Sequence, residues 1–94
     1  MIVFEEVVNF ILGYIALHQR FSIDEVTNYS DKKLSIGISL NNDPVISIEI
    51  LPTGVCDMMI IDFDTENIKY SITKEFIDSQ NLKEGITKFL QHIS

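Results

Sequence analysis

The chain is expected to fold as an α+β two-layer sandwich: an N-terminal helix, a four- or five-stranded antiparallel meander, and a C-terminal helix packed on the same face. Apolar residues recur at helical spacing near both ends, and between them the period falls to two over several short runs. Clusters of Asn, Asp, Pro, Thr and Gly separate those runs at hairpin distances. The 94 residues read as one domain, 1–94, with no internal repeat, linker or biased tract to divide them.

The first helix is expected between Ile2 and His18, where Phe4, Val7, Val8, Ile11 and Ile15 keep helical spacing. Val3, Phe10, Tyr14 and Leu17 widen that stripe around most of the circumference, which predicts a largely buried helix. Glu5 and Glu6 oppose the positive end of its dipole, and Arg20 follows its last turn. Residues Phe21 to Tyr29 satisfy two patterns. Phe21, Ile23 and Glu25 alternate as in a strand, whereas Ser22-Ile23-Asp24-Glu25 also meets the helix capping box. The strand is favoured.

Leu34, Ile36, Ile38 and Leu40 alternate with Ser35, Gly37 and Ser39, the pattern of a half-buried strand. Asn41-Asn42-Asp43-Pro44 supplies a turn, Ile46, Ile48 and Ile50 continue the inward row, and Pro52-Thr53-Gly54 closes the next hairpin. A strand from Val55 to Phe63 runs into Asp64-Thr65-Glu66-Asn67. The last strand is expected to carry Ile68, Tyr70 and Ile72 on one face and Lys69, Ser71 and Thr73 on the other. After Ser79, Leu82, Ile86, Phe89, Leu90 and Ile93 mark an amphipathic helix, in which Gly85 costs about 1 kcal/mol relative to Ala.

Composition narrows the function. Hydrophobic residues at 46% and charged residues at 22% are globular proportions, and scaling from mass gives an exposed area of roughly 5,500 Å² when folded. Seven Lys and Arg against fourteen Asp and Glu leave a net charge of −7, which argues against nucleic acid and for a basic partner. The apolar stretch Phe10–Leu17 is far below the roughly 20 residues of a membrane helix, so no membrane role is expected. Cys56 is the lone cysteine, which suits a reducing compartment, and the opening Met-Ile-Val-Phe-Glu-Glu has acid where a secretory signal carries base. A cytoplasmic location is expected.

Chemistry-bearing residues favour binding over catalysis. Asp62, Asp64 and Glu66 resemble the start of a calcium loop, but Asn67 stands where that loop needs Gly and Thr73 where it needs a bidentate acid. A solvated turn or a partner-facing acidic cluster fits them better than a metal. His18 and His92 fall at helix ends without an accompanying nucleophile signature, and Cys56 has no cation nearby in sequence to activate it. No catalytic residue, metal or cofactor is therefore expected. The strand around Met58 is apolar on both sides, with Cys56, Met58 and Ile60 in one row and Val55, Met59, Ile61 and Phe63 in the other. One row must face away from the helices, beside Glu49 and Asp57. A protein partner, the amino-terminal segment or a second copy of the chain would each cover it.

The tract Ser47-Ile48-Glu49-Ile50-Leu51-Pro52-Thr53-Gly54-Val55-Cys56-Asp57, then Ile60-Ile61-Asp62-Phe63-Asp64-Thr65-Glu66, then Ser79 to Ile93, resembles the small acidic immunity proteins of bacterial polymorphic-toxin systems. The TriTu-type immunity family is the nearest likeness. Where its strand before the Gly turn commonly carries Trp, this chain has Ile50 or Leu51. The resemblance implies a cytoplasmic protein that binds a cognate toxin domain, often a basic nuclease, and blocks its working surface, as in contact-dependent inhibition. Glu49, Asp57, Asp62, Asp64 and Glu66 are the charged candidates for that contact, with Met59, Ile61 and Phe63 as apolar anchors. The alternative is a secretion chaperone or adaptor binding a protein partner, with a homodimer compatible with either reading.

Overall fold

Steric alternation along five short strands decides the architecture, because every second residue must leave water on the same side. The computed structural model describes residues 2–40, 45–62 and 64–93. In chain order these form α1 (Phe4–Leu17), β1 (Phe21–Asn28), β2 (Leu34–Leu40), β3 (Val45–Ile50), β4 (Val55–Ile61), β5 (Ile68–Glu75) and α2 (Ser79–Ile93). The sheet order is β1-β2-β3-β4-β5 with every neighbour antiparallel, so the meander has five strands and the ambiguous segment is a strand.

Ile36, Ile48 and Met58 stand in one cross-strand row, and Leu34, Ile50 and Cys56 in the next. These residues are buried against Val7, Ile11 and Ile15 of α1 and Leu82, Ile86, Phe89 and Leu90 of α2 in one contiguous core. Both helices therefore cover the same face. β-Branched Ile dominates the strands because its stiff χ1 suits the pleated surface, and Leu and Phe serve the helices. The accessible surface is 5638 Å², close to the scaling value.

Several local expectations change. The buried stripe of α1 is narrow, Phe4, Val7, Ile11 and Ile15, while Val3, Leu12 and Leu17 are exposed. The helix is half-buried, because only one side meets the sheet and α2. β4 ends at Ile61, short of Phe63, and both Phe63 and the expected turn 41–44 lie outside the described residues. In β5 the register slips so that Ile68 stands opposite Ile61 and Tyr70 opposite Ile60, which breaks the expected Ile68–Tyr70–Ile72 row.

Side chains fasten the ends. Asp78 caps α2 by accepting the Asn81 backbone N–H at 2.9 Å, and its carboxyl is held below the ordinary aspartate range chiefly by that hydrogen bond. Ser79 Oγ accepts the Val3 N–H at 3.0 Å, which ties the segment before α1 to the start of α2. Gly54 adopts φ +102°, and a Cβ there would overlap the Phe76 carbonyl oxygen, so this turn requires glycine. The Phe76 ring lies over Gly85, where the absent side chain leaves its space.

Candidate functional site

The sheet face opposite the helices is uncovered among the described residues, and its composition follows from the alternation. Ser35, Glu49, Asp57 and Thr73 form one cross-strand row, and Gly37, Ser47, Met59 and Ser71 the next. Ser39, Val45, Ile61 and Ile68 form the row beyond them. The structure thus brings Glu49, Asp57, Met59 and Ile61 onto one face. Val45, Met59 and Ile61 are half-buried between strands and, with the more exposed Ile68, make an apolar corner. Acid flanks this corner on two sides: the Glu49–Asp57 row, and the β4–β5 turn that carries Asp62, Asp64 and Glu66.

Strand β1 adds two acids that the sequence reading did not nominate. Pairing jumps from Ile23 opposite Ile38 to Glu25 opposite Gly37, which leaves Asp24 as the extra residue of a bulge. Asp24 and Glu25 both stand close to Gly37, each with its Cβ within ordinary contact distance of a Cβ built there. Asp24 accepts a hydrogen bond from Ser39 Oγ, and Glu25 accepts one from Thr27 Oγ1 at 2.8 Å. Two consecutive acids interrupting an alternating strand were the available signal. A regular strand would have split them between opposite faces. Glu75, opposite Val55 on β5, extends the acidic margin.

Hydrogen bonds and ion pairs set the electrostatics. Lys33 Nζ lies 3.0 Å from Glu49 Oε2, and this carboxylate, by hydrogen bond and then by charge, raises the lysine above its ordinary value. Asp57 accepts a hydrogen bond from Thr73 Oγ1 across the strands. Asp62 builds its turn: Oδ1 accepts the N–H of Asp64 at 2.9 Å and of Thr65 at 3.2 Å. Those bonds, that from Thr65 foremost, and Lys69 3.5 Å away hold its carboxyl below the ordinary range. Asp62 therefore acts as an Asx-turn residue, and exposed Asp64 and Glu66 project from the turn it makes.

Reactive side chains are occupied in packing. Cys56 is fully buried, and burial pushes its thiol up to about 12, away from the thiolate that nucleophilic chemistry requires. The His18 ring stacks on Tyr14 with centroids 4.0 Å apart, while Nδ1 lies 2.8 Å from the Tyr14 carbonyl oxygen. Among the described residues no three His, Cys, Asp or Glu side chains gather as a metal site, and no helix is long and apolar enough to cross a membrane. Carboxylates set on paired strands beside an apolar corner offer this face both hydrogen-bond acceptors and apolar contact area. No family model, no curated protein and no solved structure matches this chain.

Proposed function

We propose that this protein is a cytoplasmic, non-catalytic immunity protein that neutralises a basic toxin domain, of nuclease type, by docking it on the uncovered sheet face. The supporting observation is the placement of Asp24, Glu25, Glu49 and Asp57 around half-buried Met59 and Ile61 on one rigid face. An enzyme that grips nucleic acid presents Lys and Arg, and a preformed acidic face steers towards it and competes with its substrate. The apolar corner at Met59 and Ile61 supplies an anchor, while rim carboxylates tune association rate and salt response.

Size defines how much surface takes part. Five strands spaced about 4.8 Å apart, each contributing some six residues at about 3.4 Å, present a flat area on the order of 500 Å². A standard interface needs about 800 Å² per partner, so the β4–β5 turn with Asp64 and Glu66 belongs to the contact. The secretion-chaperone reading calls for a long apolar groove, whereas Val45, Met59 and Ile61 make a short patch bordered by carboxylates.

Coexpression with the toxic carboxyl-terminal tail encoded by a neighbouring reading frame tests the proposal. The expected result is restored growth and copurification, both lost in a Glu49→Lys/Asp57→Lys/Met59→Glu variant that retains its circular dichroism. Failure to copurify, or rescue that survives those three changes, overturns it.

A further inference from the structure

β5 is an outer strand, and its outer edge pairs with nothing among the described residues. Its eight residues are rich in Ile, Tyr, Ser and Thr, and their outward backbone groups are the template an extended segment uses to join a sheet. The opposite edge, β1, is blunted by its bulge at Asp24. In β5 the irregularity is confined to the start, and Tyr70 to Glu75 keep a regular register.

Beside this edge, between β5 and α2, runs a cleft of about 200 Å³ with Met58, Ile72 and Phe89 on its floor and Lys74, Lys88 and His92 around it. Tyr70 leans on Phe89 with ring centroids 6.2 Å apart. Lys33, Lys69 and Lys83 each face a carboxylate, at 3.0, 3.5 and 3.7 Å, whereas Lys74 and Lys88 have none among the described residues. Among the described residues no acid lines the cleft. In a chain of net charge −7 this is a local inversion of sign, placed where a strand edge is open.

We infer that β5 and the β5–α2 cleft form a strand-addition site for an extended segment of a protein partner. The register specifies that segment. Positions opposite Tyr70 and Ile72 share their face and take apolar side chains, and the position opposite Lys74 takes a carboxylate that Lys88 also attracts. Positions opposite Ser71 and Thr73 point towards the acidic face and take uncharged polar residues. A second copy of the chain fits poorly, because pairing β5 with itself would bring two sets of Lys74, Lys88 and His92 into one trough. This site shares β5 with the face assigned to the toxin but has its own determinants, Lys74, Lys88 and the cleft on the helix side, so different variants test the two readings.

The probe is an acetylated, amidated heptapeptide, Thr-Glu-Thr-Val-Thr-Val-Thr, titrated into the isotope-labelled full chain at low salt. Amide shifts are expected along β5 and the cleft side of α2. Binding should weaken at least tenfold in Lys74→Glu/Lys88→Glu with unchanged circular dichroism, and equally for a peptide carrying Lys in place of Glu. Alternate N-methylation of the peptide should abolish it. No shifts at millimolar peptide, shifts confined to the other sheet face, equal affinity for the Lys peptide, or a dimer through β5 that excludes the peptide would each overturn the inference.

Discussion

Gly13 and Gly85 are both helical glycines, and the space around them gives their replacement opposite signs. A Cβ at Gly13 meets nothing within 4 Å, so Gly13→Ala gains helix propensity and should stabilise by about 0.5–1 kcal/mol. At Gly85 the added methyl overlaps the Phe76 ring, which must swing off the helix. Overpacking of about 1–3 kcal/mol then outweighs the propensity gain, and Gly85→Ala should be destabilising. Urea midpoints of the two variants check the contrast, and a double-mutant cycle with Phe76→Ala should show coupling at Gly85 and none at Gly13. The cost of Gly85 to the isolated helix is visible in the residue type. The reason for accepting it is a ring nine positions earlier in the chain.

At the scale of elements, the start of α2 and the β4–β5 turn depend on ionised carboxylates. Asp78 and Asp62 both have folded-state values below their ordinary range because backbone N–H groups donate to them. A lowered folded value means that the stabilisation is fully present above the unfolded aspartate value of about 3.9, and is lost as pH falls through the folded one. Thermal midpoints should therefore be flat from neutral pH to about 5 and fall below about 4. Asp62→Asn and Asp78→Asn should each lower the neutral-pH midpoint and flatten the acid limb. An unchanged limb in the double variant would remove these two groups as its cause. The β1 bulge belongs to this scale too: Asp24 and Glu25 reach the same face only because one residue is left out of the ladder.

For the whole molecule, the consequence of a one-sided sandwich is a division of labour between faces. The covered face holds the core, and the uncovered face, spared the demands of core packing, carries the acids, Glu49 standing directly opposite Asp57 at some cost in like-charge repulsion. If the partner is cationic, its association rate should fall steeply with ionic strength while dissociation changes little, because steering is screened beyond a Debye length of about 8 Å at physiological salt. Stopped-flow association with the basic domain proposed as its partner, between low and high salt, measures this. Glu49→Lys/Asp57→Lys should remove most of the salt dependence, and Met59→Ala should act mainly on dissociation.

Periodicity and turn chemistry determined the element types outside residues 21–29, a meander of four or five strands and the inward row of Ile36, Ile38, Ile46, Ile48 and Ile50, because a period of two or of 3.6 is a local property of consecutive residues. It also placed Glu49, Asp57, Met59 and Ile61 together, since hairpin registers follow from short turns. Tertiary structure alone decided the narrow buried stripe of α1, the slip that moves Ile68, the bulge that adds Asp24 and Glu25 to the open face, and the ring over Gly85. Each of these is settled by a neighbour distant in sequence: a helix touches the core on the side its partners leave open, and a ladder drops a residue where twist and packing favour it.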